Sequence, residues 1–147
     1  MSDAATLSPD ALARACADAM WQDDRASQGL GMQIIDIGPG RATLQMTIQP
    51  HMVNGHGIAH GGFIFTLADS AFAFACNSRN AVTVAQHCDV TFHAPGRAGE
   101  MLVAEAREVL AAYPLLRTSR RSTMVTSTPH LRPCSGIVSA VPAAFCP

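Results

Sequence analysis

Asn54, the run His60-Gly61-Gly62 and Asp69 fall within one short stretch, HMVNGHGIAHGGFIFTLADSAFAFACN, at residues 51–77. Two glycines at the head of an apolar helix leave backbone N–H groups unpaired, with the positive end of the helix dipole behind them. Glycine also lets another oxygen approach closely. Such a helix start can polarise a carbonyl and stabilise the oxyanion of a tetrahedral intermediate, an effect of about 3 kcal/mol per donor in acyl-transfer enzymes. Gly61 is the main candidate donor, and Gly62 lies beside it at the substrate. A carboxylate such as Asp69 is rarely buried without a partner or a task; here it would serve as general base on water or as nucleophile.

Asp69 follows Gly61 by eight residues, which is about 12 Å along a helix. It cannot reach a carbonyl held at its own helix start. A two-fold dimer with antiparallel helices would bring Asp69 of one copy to Gly61 of the other and create two equivalent sites. Asn54 either positions water or the reacting group, or is simply the residue tolerated in an Asn-Gly turn. His60 either contacts the substrate or fixes the turn. His51, His56 and His60 raise a metal site as an alternative, but Gly55, Gly57 and Gly61 oppose the helix that would align a four-residue pair. No metal is expected.

The elements that must position these groups can be read from local pattern. Ser8, Pro9 and Asp10 make a helix start, predicting an amphipathic helix from about Pro9 to about Gln22. MQIIDI, a GPG turn and RATLQMTI predict a β-hairpin, in which Ala42, Leu44, Met46 and Ile48 form the buried face. Residues 50–62 read as a loop. FIFTLADSAFAFAC has almost no polar face, which predicts a buried helix. VTVAQHCDVTF and EMLVAEAREVL each alternate and predict two long antiparallel strands, with Val82, Val84, Gln86, Cys88, Val90 and Phe92 as one face of the first.

Composition excludes several classes. The 147 residues, 48% hydrophobic with a formal charge of -1, suit one globular domain. No basic footprint suggests nucleic acid, and no apolar run reaches the length of a membrane span. The amino terminus lacks the features of a secretory signal, and five dispersed cysteines form no CxxC pair, so a cytoplasmic protein with reduced thiols is expected.

The character of the chain changes near Ala111. All eleven acidic residues lie at or before Glu108, while residues 111–147 hold four arginines and five of the nine prolines. STMVTST and GIVSAV remain β-prone, but Pro114, Pro129, Pro133 and Pro142 should interrupt any long ladder. The chain has ten arginines and no lysine, a sign of GC-rich coding. An off-frame reading of such DNA yields Arg, Pro, Ala and Ser, so 111–147 reads either as an ordinary irregular C-terminal segment or as a frame-shifted tail.

The combination of Asn54, His60-Gly61-Gly62, Asp69, the helix LADSAFAFACNS and the strand ending TFHAPGRAG resembles the hotdog-fold acyl-CoA thioesterases, most closely the phenylacetate-degradation (PaaI) family. The resemblance covers about Met20 to Leu110. It implies an α+β fold, a curved antiparallel sheet wrapped around a long buried helix. It implies hydrolysis of aryl-acetyl-CoA or a similar small acyl-CoA, with coenzyme A as part of the substrate and no separate cofactor. The assembly implied is a homodimer at least, usually a homotetramer. By resemblance Asn54 positions water or thioester, Phe63, Phe65, Phe72 and Phe74 either line an aromatic acyl pocket or are ordinary core residues, with Phe63 and Phe72 the ones assigned to substrate, and the strand carrying Thr83, Gln86 and His87 closes that pocket. Arg79 and Arg97 are loop arginines that either meet coenzyme A phosphates or serve as exposed solubilising charges, Arg97 being the one assigned to substrate. Two other readings stand beside hydrolysis: a hotdog hydratase or dehydratase, and a non-catalytic acyl-CoA-binding or assembly module.

Overall fold

The computed structural model describes residues 7–110, 121–127 and 134–142, with side chains to Glu108. Helix α1 spans Pro9–Asp23, one residue beyond the sequence expectation; the Ser8 hydroxyl accepts from Ala11 N–H at 3.2 Å and Pro9 occupies the first turn. Its Ala13 and Ala17 are buried, and α1 packs against strand β1. A single further turn, α2 (Arg25–Gly29), is capped by Asp24.

The predicted hairpin forms as β1 (Gln33–Gly38) and β2 (Arg41–Thr47). Ala42, Leu44 and Met46 of β2, and Ile48 just beyond it, are at most 1% exposed, so the alternation read from sequence is the core face. At the turn, Gly40 has φ of +69°, and a Cβ there would lie 2.7 Å from a Glu108 carboxylate oxygen. Only glycine satisfies both conditions.

Helix α3 (Gly61–Cys76) lies across the sheet and packs mainly on β2 and on β4 (Met101–Leu110). It buries Ile64, Leu67, Ala68, Ala71, Phe72, Phe74, Ala75 and Cys76 against Leu44, Met46, Leu102, Ala104 and Ala106. Burying a side chain the size of Phe72 or Phe74 contributes about 1.5–3 kcal/mol by transfer from water. Asn77 ends the helix and ties it to the next strand: its amide group donates to Ala73 O and Thr83 O, both at 2.9 Å, while its Oδ1 accepts from Thr83 N–H at 2.8 Å.

Strand β3 spans Thr83–Phe92 and the sheet order is β1-β2-β4-β5-β6-β3, antiparallel throughout. Two expectations change here. β3 and β4 run antiparallel but are not neighbours, since β5 (Arg121–Ser127) and β6 (Cys134–Pro142) lie between them. The alternating face of β3 is also largely exposed in the single chain: Val82, Val84, Val90 and Phe92 are 39–73% accessible, because β3 is an edge strand that α3 covers only in part. The prolines do not break the ladders. Pro142 is the last residue of β6, and Pro114, Pro129 and Pro133 lie outside the described residues, the last two between the β5 and β6 segments in sequence. Among the described residues no helix is long and apolar enough to cross a membrane.

Candidate active site

The loop before α3 is held from both sides. Val53 and Ala59 form an antiparallel bridge, His60 N–H donates to Met52 O at 2.8 Å, and Ala59 N–H donates to Gly96 O at 2.8 Å across to the β3–β4 connection. Gly96 is buried, and a Cβ on it would meet Ile48 at 2.7 Å, so the two loops approach as closely as backbone permits. Between them opens a pocket of about 540 Å³ lined by Asn54, Ile58, Ala59, Gly61, Ile64, Phe92, His93, Ala94 and Pro95. The wall is mostly apolar, with a few polar groups converging on it, as small-molecule sites usually are.

Asn54 spends its Oδ1 on the loop itself, accepting from His56 N–H at 2.9 Å and Ile58 N–H at 3.4 Å. The side-chain amide N–H groups find no acceptor among the described residues. The Asn54 oxygen thus makes the turn, while its amide donors are not used by it. His60 is the helix cap, its Nδ1 accepting from Gly62 N–H at 3.0 Å, and Phe63 N–H donates to His60 O at 3.0 Å. Gly61 N–H finds no acceptor among the described residues, and Gly61 lines the pocket.

Asp69 is half-buried on α3 and has no hydrogen-bond or ion-pair partner among the described residues. Burial pushes its carboxyl above the usual carboxylate range. It acts in turn on Cys88 of β3, whose thiol is raised first by its own burial and then by the charges of Asp69 and Asp89. Asp69 is not part of the pocket wall at Gly61, as the helical separation requires. Ser70 next to it meets Ser27 of α2, Oγ to Oγ at 2.9 Å, which anchors this turn of the helix.

Other sequence candidates stand elsewhere. Phe72 is 1% exposed in the core, so it does not line the pocket. Phe63 packs edge-on against the rings of His51 and His60 rather than on the pocket wall. Gly62 is occupied with His60. His87 is exposed on β3 and pairs with Asp89 at 2.9 Å, outside the pocket. Arg97 lies exposed in the turn beyond Pro95, its N–H donating to Glu100 at 2.8 Å. Arg79 pairs with Glu108 beyond the far end of α3. Phe92 and His93 line the pocket although sequence patterns did not single them out as site residues; the signal for Phe92 was its place at the end of the alternating face of β3. Among the described residues no group of three His, Cys, Asp or Glu side chains could hold a metal ion.

Comparisons with known proteins agree with these features. The sequence profile of the thioesterase superfamily matches residues 56–111. The acyl-coenzyme A thioesterase PaaI of Escherichia coli is 45% identical over 91 residues, 62% of this chain and 65% of that protein. Human acyl-coenzyme A thioesterase 13 is 30% identical over 88 residues, 58% of this chain and 63% of that one. The matched stretch thus spans just under two thirds of these curated relatives. In structure, the E. coli PaaI protein from the phenylacetic acid degradation operon superimposes with a TM-score of 0.84 at 32% identity, over 93% of this chain and 97% of that one. The TT0310 protein of Thermus thermophilus gives 0.71 at 33% identity, over 81% and 97%. With the buried helix, the six-stranded antiparallel sheet and the His60-Gly61-Gly62 helix start all in place, the chain belongs to the thioesterase superfamily and has its hotdog fold.

Proposed function

We propose that this chain is an acyl-CoA thioesterase that hydrolyses aryl-acetyl-CoA or a similar small acyl-CoA, in sites shared between two copies. One observation carries the reading: an unpaired, half-buried carboxylate at Asp69 sits on the same helix whose unpaired Gly61 N–H opens onto an apolar pocket. The relatives named acyl-coenzyme A thioesterase support the substrate class.

The thioester carbonyl would accept from Gly61 N–H, backed by the positive end of α3. Asp69 of the second copy either takes a proton from water as it attacks the carbonyl carbon or attacks that carbon itself. In both routes the C–S bond breaks, coenzyme A leaves as the thiolate, and the acid is released. Asn54 would hold the water or the thioester through its amide donors, and Arg97 would meet the coenzyme A phosphates at the mouth. Coenzyme A is part of the substrate, and the reaction as read uses no metal or other cofactor.

The shared site is supported by the edge of the sheet. Among the described residues β3 has a ladder partner on one side only, β6, and it carries Val84 and Val90 exposed. A second copy joined edge to edge would cover that apolar row and satisfy its open backbone groups. A homodimer is the minimal working unit, pairing further into a tetramer, in the cytoplasm.

Release of coenzyme A thiol from phenylacetyl-CoA tests this reading. Turnover by the intact protein that collapses at least about a thousandfold in Asp69→Asn is the expected result. A folded dimer that binds acyl-CoA and never turns it over would make it a binding module instead.

A further inference from the structure

Phe92 is the one phenylalanine among the described residues lining the pocket, beside His93, and its ring is set against the very glycine whose N–H finds no acceptor among the described residues. A Cβ on Gly61 would lie 2.9 Å from Phe92 Cζ and 3.3–3.4 Å from both Cε atoms, so the edge of the ring rests over the first residue of α3. No other phenylalanine with a described side chain lines the pocket: Phe72 and Phe74 are sealed in the core, Phe63 faces two histidines, and Phe65 is absent from the wall. Phe92 makes no aromatic pair among the described residues and is 49% exposed in the single chain, so a face of the ring remains for a ligand. Its neighbours in the pocket, Ile58, Ile64 and Pro95, are apolar.

We infer that Phe92 is the residue that selects the acyl group, its ring stacking against a planar aromatic acyl chain held with its carbonyl at Gly61. This rests on the thioesterase reading and deepens it. Offset or edge-on aromatic pairs gain energy beyond area burial, which an aliphatic chain of similar size does not collect. Glycine at position 61 then has two causes, the approach of the carbonyl oxygen and the seat of the Phe92 ring.

The test is kcat/KM for phenylacetyl-CoA and for hexanoyl-CoA in the intact protein, Phe92→Leu and Phe92→Ala, with the dimer checked by light scattering. The expected result is a phenylacetyl-to-hexanoyl ratio that falls about tenfold in Phe92→Ala, within the range that pocket contacts command, and less in Phe92→Leu. An unchanged ratio overturns the inference even if both rates drop, since a merely structural ring would lower them together. If the intact protein hydrolyses neither thioester, the thioesterase reading fails separately. Both thioesters then survive for calorimetry, and the ratio of their dissociation constants across the same three proteins decides the role of Phe92: a ratio that shifts against phenylacetyl-CoA in Phe92→Ala supports selection, and an unchanged ratio or no binding overturns it.

Discussion

Asp69 is held above the usual carboxylate range by burial, with no cation beside it to favour the ionised form. Between its unfolded and folded pKa values the native state therefore binds more protons than the unfolded chain, so this group's contribution to stability falls as pH rises through that window. Asp69→Asn is expected to melt higher than the intact protein near neutral pH, with the difference shrinking as pH falls below the carboxylate range; paired calorimetric scans would show it. If Asp69 acts as a carboxylate, kcat/KM should climb with pH along an acid limb displaced above the ordinary carboxylate pKa. Gly61→Ala forces the Phe92 ring to move, and a loss of about a hundredfold in kcat/KM is expected from displacing the first turn by a fraction of an ångström to an ångström. The placing of Asp69 half-buried on α3 and of Gly61 at the head of that helix was legible from sequence, because an acid in an apolar helix and paired glycines before it are rare for structural reasons alone. Phe92 was not, because alternation marks which residues share a face and not which of them the edge of a sheet leaves beside a pocket.

At the scale of elements, the helices and the first hairpin could be read from capping and periodicity, whereas the order of the strands could not. Nothing local tells β3 that its neighbour is β6, formed by residues more than forty positions away. The join between α3 and β3 is instead fixed by Asn77, whose four side-chain hydrogen bonds, to Ala73 O, Cys76 Sγ, Thr83 O and Thr83 N–H, are all lost in Asn77→Ala. A loss of about 1–3 kcal/mol, read from the denaturant midpoint, is expected for leaving Thr83 N–H and its carbonyl unsatisfied. The tail is the harder case. The family profile stops at residue 111. Forty-five per cent of 91 residues is about 41 identities with E. coli PaaI, and 32% over 93% of the 147-residue chain is about 44, so the longer structural alignment adds almost none. Backbone pairing nevertheless sets β5 and β6 in the middle of the sheet. A chain ending at Leu110 would leave β3 without any ladder and should fail to give a cooperative melt. A shifted frame predicts that the encoding DNA, read in the other frames past codon 110, yields an alternating strand pattern; random composition in both frames would remove that explanation.

For the whole molecule, the distance between Asp69 and Gly61 decides how the site must work. Eight residues of helix put them about 12 Å apart, and the pocket at Gly61 contains no carboxylate of its own. The open β3 edge offers the surface through which a second copy could bring one. The account stands on that sharing, and subunit mixing tests it most directly. Asp69→Asn and Gly61→Ala proteins, each inactive alone, would be unfolded together, refolded as a mixture and assayed for coenzyme A thiol release from phenylacetyl-CoA. In a hybrid dimer, one of the two sites combines an intact Asp69 with an intact Gly61, so random pairing should restore roughly a quarter of the intact protein's activity. A mixture as inactive as its parents, with hybrids shown to form, would place both groups' work within a single chain and contradict the account.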